Sequence, residues 1–253
     1  MSPRTDTILW VLLLIFLWAP VPGEAQEVDS LPKIARANES YHEKNYTAAA
    51  EIYEALIASG HHNGYLYYNL GNTYMRLGQT GRGVFNYLRA KTLLPRDENL
   101  EANLRYAVHQ TVDQIEPPPG GFLTGILFWM KSLNLSEHFQ LLIGFNFLYW
   151  FLSIGWLFYR KPMWNIVRKT AMTFLILVAV STGAKYYFQT QQTTGVVLAN
   201  KVNIKSDKGA QNVTLFQLHE GAIITVDTED GGWVRISLGS DKSGWAPKET
   251  VGF

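Results

Sequence analysis

Hydrophobic positions follow different rhythms in successive parts of the chain. Ile8 to Trp18 is a solid apolar block behind Arg4. From about residue 31 to 114, apolar and small residues recur at helical spacing among polar ones. Phe139 to Phe158 and Thr170 to Phe188 are again apolar with little interruption. Beyond Gly195, Val and Ile alternate with polar residues, as in Val202-Asn-Ile204 and Trp233-Val-Arg-Ile236. These rhythms predict a multidomain chain: a helical domain, two long apolar helices and a small all-β module.

The first block reads as a secretory leader over residues 1–25. A basic start, a short apolar core and Gly23 and Ala25 at the −3 and −1 positions fit that reading. An uncleaved anchor is the alternative, although the apolar run is short against the ~20 residues of a span. Residues 139–158 contain no charge and extend about 30 Å as a helix, one bilayer core. Residues 170–188 form the second predicted transmembrane helix, with Lys185 near its end; an interfacial helix is the alternative. The intervening loop, 159–169, holds Arg160, Lys161, Arg168 and Lys169 and no acid. Short basic loops stay cytoplasmic, which places both arms outside: a multi-pass inner-membrane protein with periplasmic N- and C-terminal domains. Pro117-Pro118-Pro119-Gly120-Gly121 reads as a linker. Residues 122–135 then read as a helix lying in the membrane interface or as a core helix of the first domain.

The N-terminal arm repeats itself at a shift of 34 residues. Tyr67, Leu70, Gly71, Tyr74, Gly83, Tyr87, Ala90 and Pro95 occupy positions 4, 7, 8, 11, 20, 24, 27 and 32 of one unit. Small residues at 8, 20 and 27 let two helices approach, large ones fill the gap, and the proline ends the second helix. The pattern resembles the tetratricopeptide repeat, with units over about 30–63 and 64–97 and a cap helix over 98–114. Ala37, Tyr41, Tyr46, Ala49 and Tyr53 carry a more degenerate first unit. The resemblance implies an α-helical solenoid that binds partners along a concave face. Asn38, Asn69, Asn72 and Asn103 map to that face, and an asparagine amide both donates to and accepts from a peptide backbone. In one subclass a ring of this kind clamps a carboxylate. Here Ile34, Asn99 and Asn103 replace its basic partners, so no such clamp is expected. Arg76, Tyr67 and Tyr74 also face a ligand or, for the tyrosines, pack the core.

The β module, 195–252, carries Val202-Asn-Ile-Lys-Ser206, Leu218-His-Glu-Gly221, Gly232-Trp-Val234 and Gly244-Trp-Ala246. These resemble a bacterial SH3-like barrel. Trp233 and Trp245 either pack it or line a ligand groove, since indole offers a flat apolar face and one donor.

Composition then removes chemistry rather than adding it. The chain of 253 residues has 22 Lys+Arg against 21 Asp+Glu, which disfavours a nucleic-acid partner. It has no cysteine, so disulfides, thiol catalysis and thiolate metal sites are excluded. His42, His61, His62, His109, His138 and His219 form no ligand spacing, and His61-His62 fall in the turn between the two helices of the first repeat. No catalytic residue, cofactor or metal site is expected.

The order of parts resembles the BatE proteins of the Bacteroides aerotolerance operon. That resemblance implies a membrane scaffold beside von Willebrand A-type membrane proteins and a MoxR-like ATPase, linked to stress tolerance. The reading is a non-enzymatic adaptor that recruits proteins through its repeats and SH3-like module, in contact with membrane lipid. The alternative is an envelope tether whose SH3-like module grips peptidoglycan.

Overall fold

The computed structural model describes residues 24–115, 128–191, 193–239 and 242–253. Most of the expected leader, the Pro/Gly linker and residues 122–127 lie outside them. The architecture is mostly helical and closes on a C-terminal antiparallel sheet.

Five helices build the N-terminal arm: α1 (Glu24–His42), α2 (Tyr46–Ala58), α3 (Gly64–Arg76), α4 (Thr80–Leu93) and α5 (Glu98–His109). Three of the starts are written locally. Asn45, Asn63 and Asp97 accept a backbone N–H from the first turn of α2, α3 and α5. Gln79, ahead of α4, makes no such bond. Gly60 and Gly78, at φ +93° and +73°, turn the chain after α2 and α3. Gly71 lets α3 and α4 close: a Cβ there would sit 2.6 Å from Cδ1 of Tyr87. Ala37, Ala49, Tyr53, Leu56, Leu70 and Tyr74 fill one core, and Tyr67, Val84, Tyr87, Ala90, Leu100 and Leu104 a second.

Two boundaries differ from expectation. The cap helix stops at His109 rather than 114, because Thr111, Asp113 and Ile115 turn away to meet the β module. His61 and His62 lie between α2 and α3, hence in the turn that leads from the first unit to the second rather than in the turn between the two helices of the first. His62 Nδ1 is 2.6 Å from the Tyr67 hydroxyl, and the two rings stack.

After a short helix, α6 (Phe128–Ser132), two long helices follow: α7 (Leu135–Tyr159) and α8 (Pro162–Gln191). Both are long and apolar enough to cross a membrane. Asn134 and Glu137 form a reciprocal capping box at the start of α7. The two helices pack as a hairpin, with Phe145 stacked on Phe174 and Tyr159 on Trp164. The loop expected over 159–169 is only Arg160-Lys161. Arg160 takes a left-handed turn at φ +36°, and Arg168 and Lys169 already lie within α8. Arg168 and Arg160 lie over the Trp156 ring. Of the segment expected as an interfacial helix, the described part is α6. Trp129 donates its indole N–H to Ser181 Oγ at 3.0 Å, and the Lys185 ammonium donates to the carbonyls of Met130 and Leu133.

The sheet holds seven strands in the order β3-β2-β6-β5-β4-β1-β7. They are β1 (Thr193–Val197), β2 (Lys201–Lys205), β3 (Thr214–His219), β4 (Ile223–Asp230), β5 (Trp233–Leu238), β6 (Lys242–Pro247) and β7 (Val251–Gly252). All pairings are antiparallel, and alternate residues such as Val202, Ile204, Val234, Ile236 and Ala246 point into one buried core. Val196 and Ile223 instead join the helical core beside Val84 and Tyr87, so arm and sheet share apolar contacts.

Candidate functional site

The arm's asparagines form a hydrogen-bonded ladder that repeats with the sequence. In the first unit the Tyr53 hydroxyl donates to Asn38 Oδ1 at 2.6 Å, and Asn69 Nδ2 donates to the same oxygen at 3.4 Å. In the second unit the Tyr87 hydroxyl donates to Asn72 Oδ1 at 2.7 Å, and Asn103 Nδ2 donates to it at 3.0 Å. The Asn103 amide also donates to the Tyr68 hydroxyl at 2.9 Å. Tyr87, Asn72 and Asn103 lie 34 positions after Tyr53, Asn38 and Asn69; the Tyr68 contact has no counterpart in the first rung, because position 34 is isoleucine. The helices carrying Asn38, Asn69, Asn72 and Asn103 are α1, α3 and α5, alternate helices of the arm.

Burial explains the direction of these bonds. Tyr53 and Tyr87 are nearly inaccessible, and burial pushes the Tyr53 phenol up to about 12 and the Tyr87 phenol higher still. A neutral phenol donates its proton, so the Oδ1 of Asn38 and Asn72 is doubly engaged. Among the described residues this leaves one amide NH2 of Asn38 and of Asn72 and one carbonyl of Asn69 and of Asn103 without a partner. Asn38, Tyr41, His42, Tyr53, Asn69 and Asn72 line a hollow of about 250 Å³ there. Each rung thus offers one donor and one acceptor, the complement of one peptide unit.

The other expected groove residues separate. Arg76 is exposed at the end of α3 and hydrogen-bonds Tyr41, within reach of the hollow. Tyr67 and Tyr74 are buried, so packing is their role. The Tyr67 hydroxyl accepts from Arg89 at 2.7 Å, and the guanidinium lies 4.1 Å from the ring. The Tyr74 hydroxyl meets Glu54 and Arg82, and burial raises that phenol to about 12.

No protein-family model and no curated protein sequence matches the chain. Among solved structures it matches the Yersinia enterocolitica type III secretion chaperone SycD, crystallised with a peptide of the translocator YopD. Identity is 14% over 62% of this chain and 98% of that one, with a TM-score of 0.33. A likeness of that size assigns neither fold nor function.

In the sheet, Trp233 and Trp245 stand off the core. Their neighbours Val234, Ile236, Gly244 and Ala246 are buried, and alternation turns both indoles to the outer face, where they are half-buried. Register pairs Trp233 with Pro247 and Arg235 with Trp245, so the two rings are diagonal neighbours. The Lys208 ammonium lies 5.2 Å from the Trp245 ring. Among the described residues no three His, Asp or Glu side chains gather as a metal set.

A second constellation joins the arm to the sheet. Glu220 Oε1 accepts the backbone N–H of Gly81 at 2.8 Å, in the first turn of α4. Asp113 accepts the backbone N–H of His219 at 2.6 Å and meets His219 Nδ1 at 3.1 Å. Gly221, at φ +85°, has no room for a side chain: a Cβ would lie 2.3 Å from Cγ2 of Thr111. The His-Glu-Gly segment is legible in the sequence as part of the β module. Its docking role is not, because its partners lie over 100 positions away.

Proposed function

We propose that this protein is a non-enzymatic membrane adaptor whose repeat groove holds an extended segment of a partner protein. The single observation that carries this reading is the ladder: two equivalent Tyr–Asn–Asn rungs 34 residues apart, with Asn38, Asn69 and Asn72 lining a hollow. Such rungs read backbone rather than side chain, so the partner's contacting segment is extended and its sequence weakly specified. The helical arm is a short tetratricopeptide solenoid and the sheet an SH3-like barrel. The α7–α8 hairpin spans the inner membrane, with the Arg160-Lys161 turn cytoplasmic and both arms periplasmic. The order of parts is that of BatE-like proteins, which makes von Willebrand A-type membrane proteins and a MoxR-like ATPase the partners to seek first.

The test is crosslinking in native membranes followed by capture on the full chain. Asn69→Ala with Asn103→Ala, which leaves the acceptors of the buried Tyr53 and Tyr87 hydroxyls in place, should release the captured protein while the chain stays folded. Unchanged capture would remove the groove from the mechanism.

One observation favours a second reading, a peptidoglycan tether. Trp233 and Trp245 share an outer face with Arg235 and are not consumed by the core. Sedimentation of the detergent-solubilised chain with murein, abolished by Trp233→Ala with Trp245→Ala, would support the tether. Absence of co-sedimentation would retire it.

A further inference from the structure

We infer that the cleft between the arm and the sheet binds the headgroup of a phospholipid carrying a primary ammonium, the phosphoethanolamine class. The inference rests on the reading that the hairpin spans a membrane.

The cleft has a volume of about 970 Å³. One wall is α4, through Phe85 and Arg89; the other is Thr194 of β1, the 248–250 turn, β7 and Phe253. Its position follows from the chain path. Arg89 lies one turn before Leu93, whose carbonyl accepts from Asn134 Nδ2 at 3.0 Å at the cap of α7. Thr194 lies three residues after Gln191, the end of α8. Both walls therefore rise within about 10 Å of the end of the hairpin where the arms emerge. β7 runs antiparallel to β1, with Gly252 opposite Val196, so the chain at Phe253 heads back toward that same end. A cleft at that height meets headgroups, and Phe85, Val251 and Phe253 give it apolar walls for the glycerol region.

Its lining carries two cations, Arg89 and Lys248, and one carboxylate, Glu249. Arg89 is half-buried, and among the described residues no carboxylate lies within 4 Å of its guanidinium; Tyr67 holds one side of the fork. Glu249 is exposed to the cleft and, among the described residues, pairs with no cation. Lys248 also lines the cleft, with its ammonium ion-paired to Glu229, which leaves Arg89 and Glu249 as the lining charges that form no ion pair among the described residues. An unpaired guanidinium suits a phosphate oxygen, and an unpaired carboxylate suits an ammonium that donates hydrogen bonds. A choline headgroup has the charge without the N–H donors, and a glycerol headgroup has no cation.

The experiment uses the full chain in vesicles of phosphatidylcholine mixed with either phosphatidylethanolamine or phosphatidylglycerol. Flotation is scored first. Native mass spectrometry then counts the lipids retained on release. The expected result is phosphatidylethanolamine kept about fivefold over both competitors, the scale of one charged contact at a membrane surface. Glu249→Gln, a change at an exposed position, should erase the preference over phosphatidylcholine. Arg89→Gln should lower retention of every phospholipid, and Arg89→Lys should restore much of it. Equal retention of the three lipids, or a preference untouched by Glu249→Gln, overturns the inference. So does displacement of the retained lipid by a soluble acidic peptide, which would assign the cleft to protein. A chain that fails to float overturns the spanning reading itself; one that floats without preference overturns only the headgroup site.

Discussion

The ladder and the seam that Glu220 and Asp113 form between arm and sheet are both networks of partly buried polar groups, but they are encoded in opposite ways. The ladder is written twice at a constant interval, and each rung uses residues 15 or 31 positions apart. The seam is written once, by pairs 106 and 139 positions apart. A repeated network reports its geometry through period alone, since the second copy predicts the first. A network made once has no internal witness. The ladder should therefore fail with the arm's own core, while the seam should be separable from it.

The sharpest break of the ladder is Tyr53→Ala. The side chain is about 1% exposed and joins Ala49, Leu56 and Leu70 in one core. Removing it should cost the arm about 4 kcal/mol through lost burial and a cavity. Hydrogen–deuterium exchange of the full chain in detergent should show α1 to α3 opening together, with the sheet protected. Exchange confined to α2 would mean that the repeats are not one cooperative unit.

The seam should break without the ladder. Gly221→Ala asks a non-glycine residue to hold φ +85° and sets a methyl against Thr111. We expect a loss of about 2–3 kcal/mol, felt at residues 110–115 and the 219–221 turn. The ladder amides should keep their protection. Loss of protection across α1 to α3 would show that the sheet is part of the arm's fold rather than docked on it.

How much of this was legible follows the same division. Asn38, Asn69, Asn72 and Asn103 were found from spacing, because a 34-residue period forces equivalent side chains onto one face. Tyr53 and Tyr87 were visible only as packing. Their hydroxyls became functional once burial fixed the proton on each phenol. The hairpin was plain from hydropathy, yet its turn was overestimated: Lys and Arg mark a loop by charge, and Arg168 and Lys169 are equally content in a helix end. The early stop of α5 had no sequence mark, because Asp113 turns toward a backbone N–H of a strand far along the chain.

Alkaline pH acts on the arm's buried phenols, Tyr53 of the ladder and its core neighbour Tyr74, rather than on the seam, and separates the two networks without mutation. Tyr53 and Tyr74 titrate near 10 when unfolded and near 12 when folded. A raised folded pKa means that the stability is complete below pH 10. It is lost as pH rises from 10 through 12, where the unfolded phenols ionise and the folded ones do not. By pH 12 each should withdraw roughly 2 kcal/mol from the arm. Exposed tyrosines such as Tyr65 and Tyr106 ionise first, so the signal to follow is the tyrosinate absorbance that Tyr53→Phe with Tyr74→Phe removes; it should appear together with the loss of helical circular dichroism over that window. If that difference signal appears at pH 10 with helicity intact, the two phenols are not buried.

The smallest effect bears on why α4 begins where it does. Its N-terminal neighbour is Gln79, a residue type with little capping tendency and no cap bond here. Yet Gly81 donates its N–H to Glu220, and a carboxylate at a helix N-terminus also opposes the helix dipole favourably. The sheet thus supplies the cap that the arm's own sequence omits. Gly81 permits the approach, since a Cβ would lie 2.7 Å from the Val197 carbonyl oxygen. Glu220→Ala should cost about 1 kcal/mol, localised in the first turn of α4. Amide exchange at residues 81–83 should then accelerate about fivefold, with α3 and the ladder amides unchanged. If those amides exchange as before, α4 is held by packing of Val84 and Tyr87 alone, and the seam carries no part of the arm's secondary structure.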